Sequence, residues 1–169
     1  MKQHNHIVEH IPRLRRYARA LMRGDVLAAD DLVQDCLERA LSRLHGWQKG
    51  SDLRAWLFTI MHNLYVNQVR RSVNGPQFVA LPEEEPPSTI PTNIESAITL
   101  DQLQQALEWL SPEQREILIL VAVEGLRYAD VAAILNIPAG TVMSRLSRAR
   151  RQLRSVLAQE HTPSLRRVK

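Results

Sequence analysis

The sequence predicts an all-α chain of two small helical domains, and three observations predict it. Apolar residues recur at spacings of three and four along most of its 169 residues, the period of an amphipathic helix. Ala, Leu, Arg, Gln and Glu dominate the composition, aromatics are 5 %, and no stretch alternates as a half-buried strand would. The stretch VNGPQFVALPEEEPPSTIPTN, residues 73–93, holds five of the nine prolines and three consecutive glutamates. Proline removes a backbone donor and pushes the preceding residue out of helix, so this stretch reads as an extended linker. It divides the chain into residues 1–72, the linker 73–93, and residues 94–169.

Ile7, Ile11, Leu14, Ala18 and Leu21 form the first apolar stripe, which ends near Gly24. Val33, Leu37, Ala40 and Leu44 form a second, ending at Gly46. Asp30, Asp31 and Asp35 fall near the start of that helix, where acids meet the positive end of the helix dipole. Asp52 is placed to cap a third helix from Leu53 to about Arg71, with Trp56, Leu57, Ile60, Met61 and Leu64 on its apolar face. Beyond the linker, Leu100, Leu103, Leu107 and Leu110 mark a fourth. Ser111-Pro112-Glu113-Gln114 then reads as a helix start: a Ser cap, Pro in the first turn, and Gln three residues after the cap. That helix carries Ile117, Leu118, Leu120 and Val121 and stops at Gly125.

The segment GLRYADVAAILNIPAGTVMSRLSRARRQLRSVL, residues 125–157, is the most informative in the chain. A short helix from Tyr128 to Leu135 buries Val131, Ala132 and Leu135. Asn136 follows, one of the few non-glycine residues that tolerates a left-handed turn. Pro138 suits the first turn of the next helix, where Val142, Leu146, Ala149, Leu153 and Val156 make one apolar stripe. Arg145, Arg148, Arg150, Arg151 and Arg154 fill most of the remaining surface. Two helices joined by such a turn, the second rich in positive charge, describe a helix-turn-helix that places its second helix in a DNA major groove. A helical hairpin with a solvated basic face is the alternative.

The formal net charge is only +4, but it is unevenly spread. Residues 140–169 carry eight Lys or Arg against one acid, Glu160, whereas residues 72–114 carry no Lys or Arg against seven acids. This asymmetry predicts a polyanion contact at one end, helped by Arg166, Arg167 and Lys169 in the tail. Nineteen of the 22 basic residues are Arg, which forks onto phosphates and guanine edges as Lys cannot. A single cysteine, Cys36, excludes an intrachain disulfide and a cysteine-based zinc site, and its place in an apolar stripe makes it core. No apolar run approaches the roughly 20 residues that span a bilayer, and the N-terminus has no apolar signal-peptide stretch, so a cytoplasmic protein is expected. No metal-ligand spacing such as H-E-x-x-H and no Gly-rich phosphate loop is present, so neither catalysis nor a cofactor is expected.

The third helix, DLRAWLFTIMHNLYVNQVRR, adds a second candidate nucleic-acid surface. Its side away from the apolar face carries His62, Asn63, Asn67, Arg70 and Arg71, with Arg54 nearer the start and Tyr65 able to stack on an unpaired base. An ordinary solvated helix face explains the same residues. The acids of ADDLVQDCLERAL serve helix capping or the docking of a basic protein partner.

ADDLVQDCLERAL resembles the core motif of bacterial sigma factors, and DLRAWLFTIMHNLYVNQVRR resembles their adjoining promoter-melting helix. LSPEQREILILVAVEGLRYADVAAILNIPAGTVMSRLSRARRQL closely resembles their C-terminal helix-turn-helix. Three such blocks in this order, over roughly residues 7–158 with little else, resemble a small sigma factor of the extracytoplasmic-function type. The resemblance implies that the first domain binds the clamp helices of core RNA polymerase through Asp31, Gln34 and Asp35. It implies that His62, Asn63, Asn67, Arg70 and Arg71 read the melted promoter element near minus ten, while Trp56, Leu57 and Phe58 are core. Thr141, Ser144, Arg145, Arg148 and Arg151 would read the element near minus thirty-five, and the acidic linker would pass through the polymerase's RNA exit region. Five positions depart from the family: His62 stands for Arg or Lys, Asn67 for Asp, Met143 for Lys, Arg127 for a Ser or Thr cap, and Asn136 for Gly. Asn136 suits the same turn.

An anti-sigma protein is a further expected partner, because apolar faces that dock polymerase would be exposed in the free chain. Two alternatives stand beside the sigma reading. One is a sigma mimic that sequesters an anti-sigma protein, which the substitutions at His62 and Met143 keep open. The other is a conventional helix-turn-helix regulator, which would need an effector or receiver domain whose strands the first segment lacks.

Overall fold

The computed structural model describes residues 2–47, 51–73 and 100–160. Most of the expected linker and the basic tail lie outside the described residues. Among those described there are seven α-helices and no strand. They are α1 (Lys2–Leu21), α2 (Val26–Arg43), α3 (Leu53–Val73), α4 (Leu100–Glu108), α5 (Pro112–Leu118), α6 (Tyr128–Leu135) and α7 (Ala139–Glu160).

The first three helices form one bundle. Leu14, Tyr17, Ala18 and Leu21 of α1 face Ala29, Leu32, Val33, Cys36 and Ala40 of α2, and Leu57, Phe58 and Met61 of α3 close the core. The Tyr17 and Phe58 rings meet edge to face, 5.1 Å between centroids. Leu57 and Phe58 are buried as expected, and Trp56 packs half-buried against them. Arg23 and Gly24, both left-handed, turn the chain from α1 to α2. The start of α2 differs from the sequence reading. Asp25 is its cap, accepting from the Ala28 N–H at 3.1 Å, and no acid occupies the first turn. Asp30, Asp31 and Asp35 lie further along, where the dipole is weak, so capping does not account for them. At α3 the expected cap holds: Asp52 Oδ1 accepts from the N–H groups of Arg54 and Ala55 at 2.9 and 3.2 Å.

Cys36 is fully buried, with its sulfur 3.6 Å from the Leu57 carbonyl. Burial pushes its thiol up to about 12 from 9.0. The neutral thiol is therefore the folded form. Its contribution to stability is complete below pH 9 and is lost as pH rises toward 12. Tyr17, whose phenol is also raised, first by burial and then by Glu116, acts in the same direction. We expect iodoacetamide at pH 8.5 to label the native chain at least about a thousand-fold more slowly than the urea-unfolded chain, read by mass spectrometry. Comparable rates would show that Cys36 is open to solvent.

Helices α4 to α7 form the second unit. Ser111 opens α5 with a full capping box: its side chain accepts from the Gln114 N–H, and the Gln114 side chain accepts from the Ser111 N–H. The helix then widens into a π turn over Ile119–Val123, closed by Glu124 N–H to the Ile119 carbonyl at 2.9 Å. Gly125, at φ +64°, ends it in the left-handed region. In α6 the fully buried residues are Val131 and Ile134, with Ala132 and Leu135 half-buried beside them. Asn136 sits at φ 52°, ψ 48°, the left-handed turn the sequence predicts. Pro138 lies one residue before α7, and its carbonyl receives the N–H groups of Thr141 and Val142. Val142, Leu146 and Ala149 bury the inner stripe of α7.

The two units pack on each other. Helix α1 packs against α5 and the π turn, α3 packs against α6, and apolar residues of both units join one core.

Candidate nucleic-acid interface

On α7, Thr141, Ser144, Arg145, Arg148 and Arg151 fall at helical spacings of three and four, so they share one face. Ser144, Arg148 and Arg151 are exposed, and Thr141 and Arg145 are half-buried. The Ser144 hydroxyl donates back to the Thr141 carbonyl at 3.1 Å. Helix α6 packs against this helix, whose inner stripe of Val142, Leu146 and Ala149 lies in the core, which leaves the basic face outward. Arg127 opens α6 without capping it and instead forks onto Asp130, with bonds of 2.9 and 3.1 Å. That fork depresses the Asp130 carboxyl and ties down the helix start that Ser or Thr would otherwise cap.

On α3, Asn63, Asn67, Arg70 and Arg71 recur at helical spacing and are exposed. His62 is placed differently. Its side chain is 14 % exposed, and Nδ1 lies 2.7 Å from Oε1 of Glu116 in α5. The Tyr17 hydroxyl donates to the same oxygen. Tyr65 is half-buried and packs against the core. Asp31, Gln34 and Asp35 are exposed on α2, with the Gln34 amide donating to Glu38 at 3.0 Å.

A polar seam between the units escaped the sequence reading. It holds Tyr17, His62 and Glu116 at one end, and Arg13, Arg16, Arg54 and Glu124 at the other. Arg115 lies beside it, buried, donating to the carbonyls of Ala20, Leu107, Glu108 and Leu110. The signal available in the sequence is REILILVAVE, where charges flank an apolar run. A charge drawn into a core needs a partner.

Comparison with known proteins bears on both units. The family described as the sigma2 domain of PhyR matches residues 7–62, and sigma-70 region 4 matches residues 100–153. The ECF RNA polymerase sigma factor EcfG of Rhodopseudomonas palustris is 38 % identical over 157 residues, covering 89 % of this chain and 82 % of the relative. SigL of Mycobacterium tuberculosis, also an ECF sigma factor, is 34 % identical over 158 residues, covering 88 % and 85 %. The solved structure of the sigma factor RpoE with the anti-sigma factor NepR, from Bartonella quintana, superposes with a TM-score of 0.74. The two chains are 33 % identical, and the match covers 91 % of this chain and 95 % of that one. Two family matches in sigma-factor order, and relatives similar along most of their length, place the chain in the ECF family of RNA polymerase sigma factors.

Proposed function

We propose that this chain is a promoter-specificity subunit that directs core RNA polymerase to particular promoters and aids initiation, with no catalysis and no cofactor of its own. The observation that carries this reading is the helix-turn-helix itself: a left-handed Asn136 between α6 and a helix whose outward face presents Thr141, Ser144, Arg145, Arg148 and Arg151. That face reads the promoter element near minus thirty-five. Asn63, Asn67, Arg70 and Arg71, joined by His62 once it leaves Glu116, read the element near minus ten. Asp31, Gln34 and Asp35 dock the polymerase clamp. Residues 1–72 and 94–169 are the two functional domains, and 73–93 tether them. Neither domain need bind DNA tightly alone, because polymerase holding both in register raises the effective concentration of each.

An anti-sigma protein controls it. The relative from Bartonella quintana was solved with such a protein. The free chain also exposes Leu27 on α2 and Trp109 after α4, the latter 69 % exposed, as apolar surface for a partner. No helix among the described residues is long and apolar enough to cross a membrane, which suits a cytoplasmic site of action.

Adding the purified chain to core RNA polymerase and mapping RNA ends on genomic fragments tests the reading. Discrete new start sites are expected. Silence on every fragment, with polymerase shown to be active, overturns it in favour of a mimic that sequesters an anti-sigma protein.

A further inference from the structure

Glu124 is a carboxylate in the wrong company for a helix end. Its side chain has no exposed surface, and three arginines of the other unit converge on it. Arg16 donates to Oε1 through Nε at 3.2 Å and Nη2 at 3.1 Å. Arg54 donates through Nη1 to the Glu124 carbonyl at 2.9 Å. Arg13 Nη1 comes within 3.7 Å of Oε2, yet that oxygen accepts no hydrogen bond. Asp52, 3.7 Å from Arg54, offsets part of the positive charge. The cluster thus holds more cation than the carboxylate neutralises and more donors than it uses.

We propose that Arg13, Arg16 and Arg54 form an anion site for a backbone phosphate of the promoter strand, and that Glu124 fills this site in the closed molecule. A phosphodiester offers two anionic oxygens on a tetrahedral centre, so it engages the Arg16 fork and Arg13 together, where Glu124 leaves one oxygen unpaired. The site lies on α1 and the start of α3, the helix that carries Asn63, Asn67, Arg70 and Arg71. The π turn matters here: one extra residue per turn rotates the chain just before Glu124 and delivers its carboxylate to the other unit. Glu116, on the same helix before the π turn, contacts His62 of the other unit at 2.7 Å. Domain closure and strand binding therefore compete for the same cations. The inference rests on the sigma reading only in taking promoter DNA as the ligand.

The test uses the full chain without polymerase, and a fluorescein-labelled oligo-dT strand of about 20 nucleotides as the probe, followed by anisotropy. Glu124→Gln keeps the shape and removes the charge. It is expected to expand the chain in small-angle scattering and to bind the strand at least about five-fold tighter than wild type, as removal of a competing anion requires. Adding Arg16→Gln should cancel that gain and lower the slope of log affinity against log salt by about 0.7, one phosphate contact on a single strand. No gain from Glu124→Gln, or a gain that survives Arg16→Gln, overturns the inference. Arg13→Gln with Arg16→Gln on the otherwise wild-type chain tests it without touching Glu124. This variant should expand without binding the strand more tightly. Tighter binding would make the arginines a lock only, and an unexpanded chain would mean they are no lock; either result overturns the inference. The sigma assignment is read separately, from polymerase-dependent start sites, and survives such a failure.

Discussion

Arg115→Met should unfold the second unit more readily than any surface substitution in the chain, by about 3–5 kcal/mol. Arg115 is 3 % exposed, and among the described residues no carboxylate accepts a hydrogen bond from it. It donates instead to four carbonyls: Leu107 at 2.8 Å, Leu110 at 3.0 Å, Ala20 at 3.3 Å and Glu108 at 3.4 Å. Three of these belong to the end of α4 and the turn after it, where helix carbonyls lose their internal partners. The fourth is near the end of α1, in the other unit. One side chain therefore caps two helix ends and ties the units together. Met preserves much of the aliphatic stem but supplies no donor, so the carbonyls stay buried and unpaired. Urea unfolding measures the loss directly, and the melting temperature should fall by roughly 10 °C for a chain of this size. Arg115→Lys should recover less than half, because an ammonium is a point donor and cannot fork across four acceptors. A loss below about 1 kcal/mol would mean that water reaches these carbonyls in the variant.

Arg115 also marks where sequence reasoning stops. The apolar stripes, the Ser111–Gln114 capping box and the left-handed Asn136 were legible because each is near-neighbour physics. Helical period, cap and turn depend on residues within four positions of each other. The Arg127–Asp130 fork obeys the same locality and could have been read from its spacing. The seam could not, because its partners lie far apart in sequence: Tyr17 with Glu116, His62 with Glu116, Arg16 with Glu124. The order of residues reveals that Glu116 and Glu124 border an apolar run, but not which cations answer them. The run Ile117–Val123 is apolar all round, so it has no phase from which a π turn could be inferred. The helix start at Asp25 was missed for a similar reason. Val26 and Leu27 are apolar but exposed, so they blur the pattern, and the acids that follow mimic a first turn. His62 is a separate case. Sequence spacing put it beside the exposed Asn63, and only the contact with Glu116 of α5 marks it as turned inward.

Arg148→Ala is expected to cut initiation at a cognate promoter by about 5- to 150-fold, the 1–3 kcal/mol of one well-made base contact. Arg145→Ala should do the same, and the two together should multiply unless both arginines bind the same base pair. Arg150 supplies the internal comparison. It is equally cationic and also exposed, but it lies two residues from Arg148, about 200° around the helix and off the shared face. Arg150→Ala should weaken binding by a uniform, salt-sensitive amount and leave base preference intact, because a phosphate contact carries no sequence information. In vitro transcription with core polymerase, on a promoter and on single-base variants of its upstream element, separates the two behaviours. Arg148→Ala should flatten discrimination at one base position, and Arg150→Ala should shift every template alike. If both substitutions lower all templates equally, the basic helix grips DNA without reading it. Specificity would then rest on the Asn63, Asn67, Arg70 and Arg71 face of α3, where Asn and Arg can still make bidentate contacts to bases.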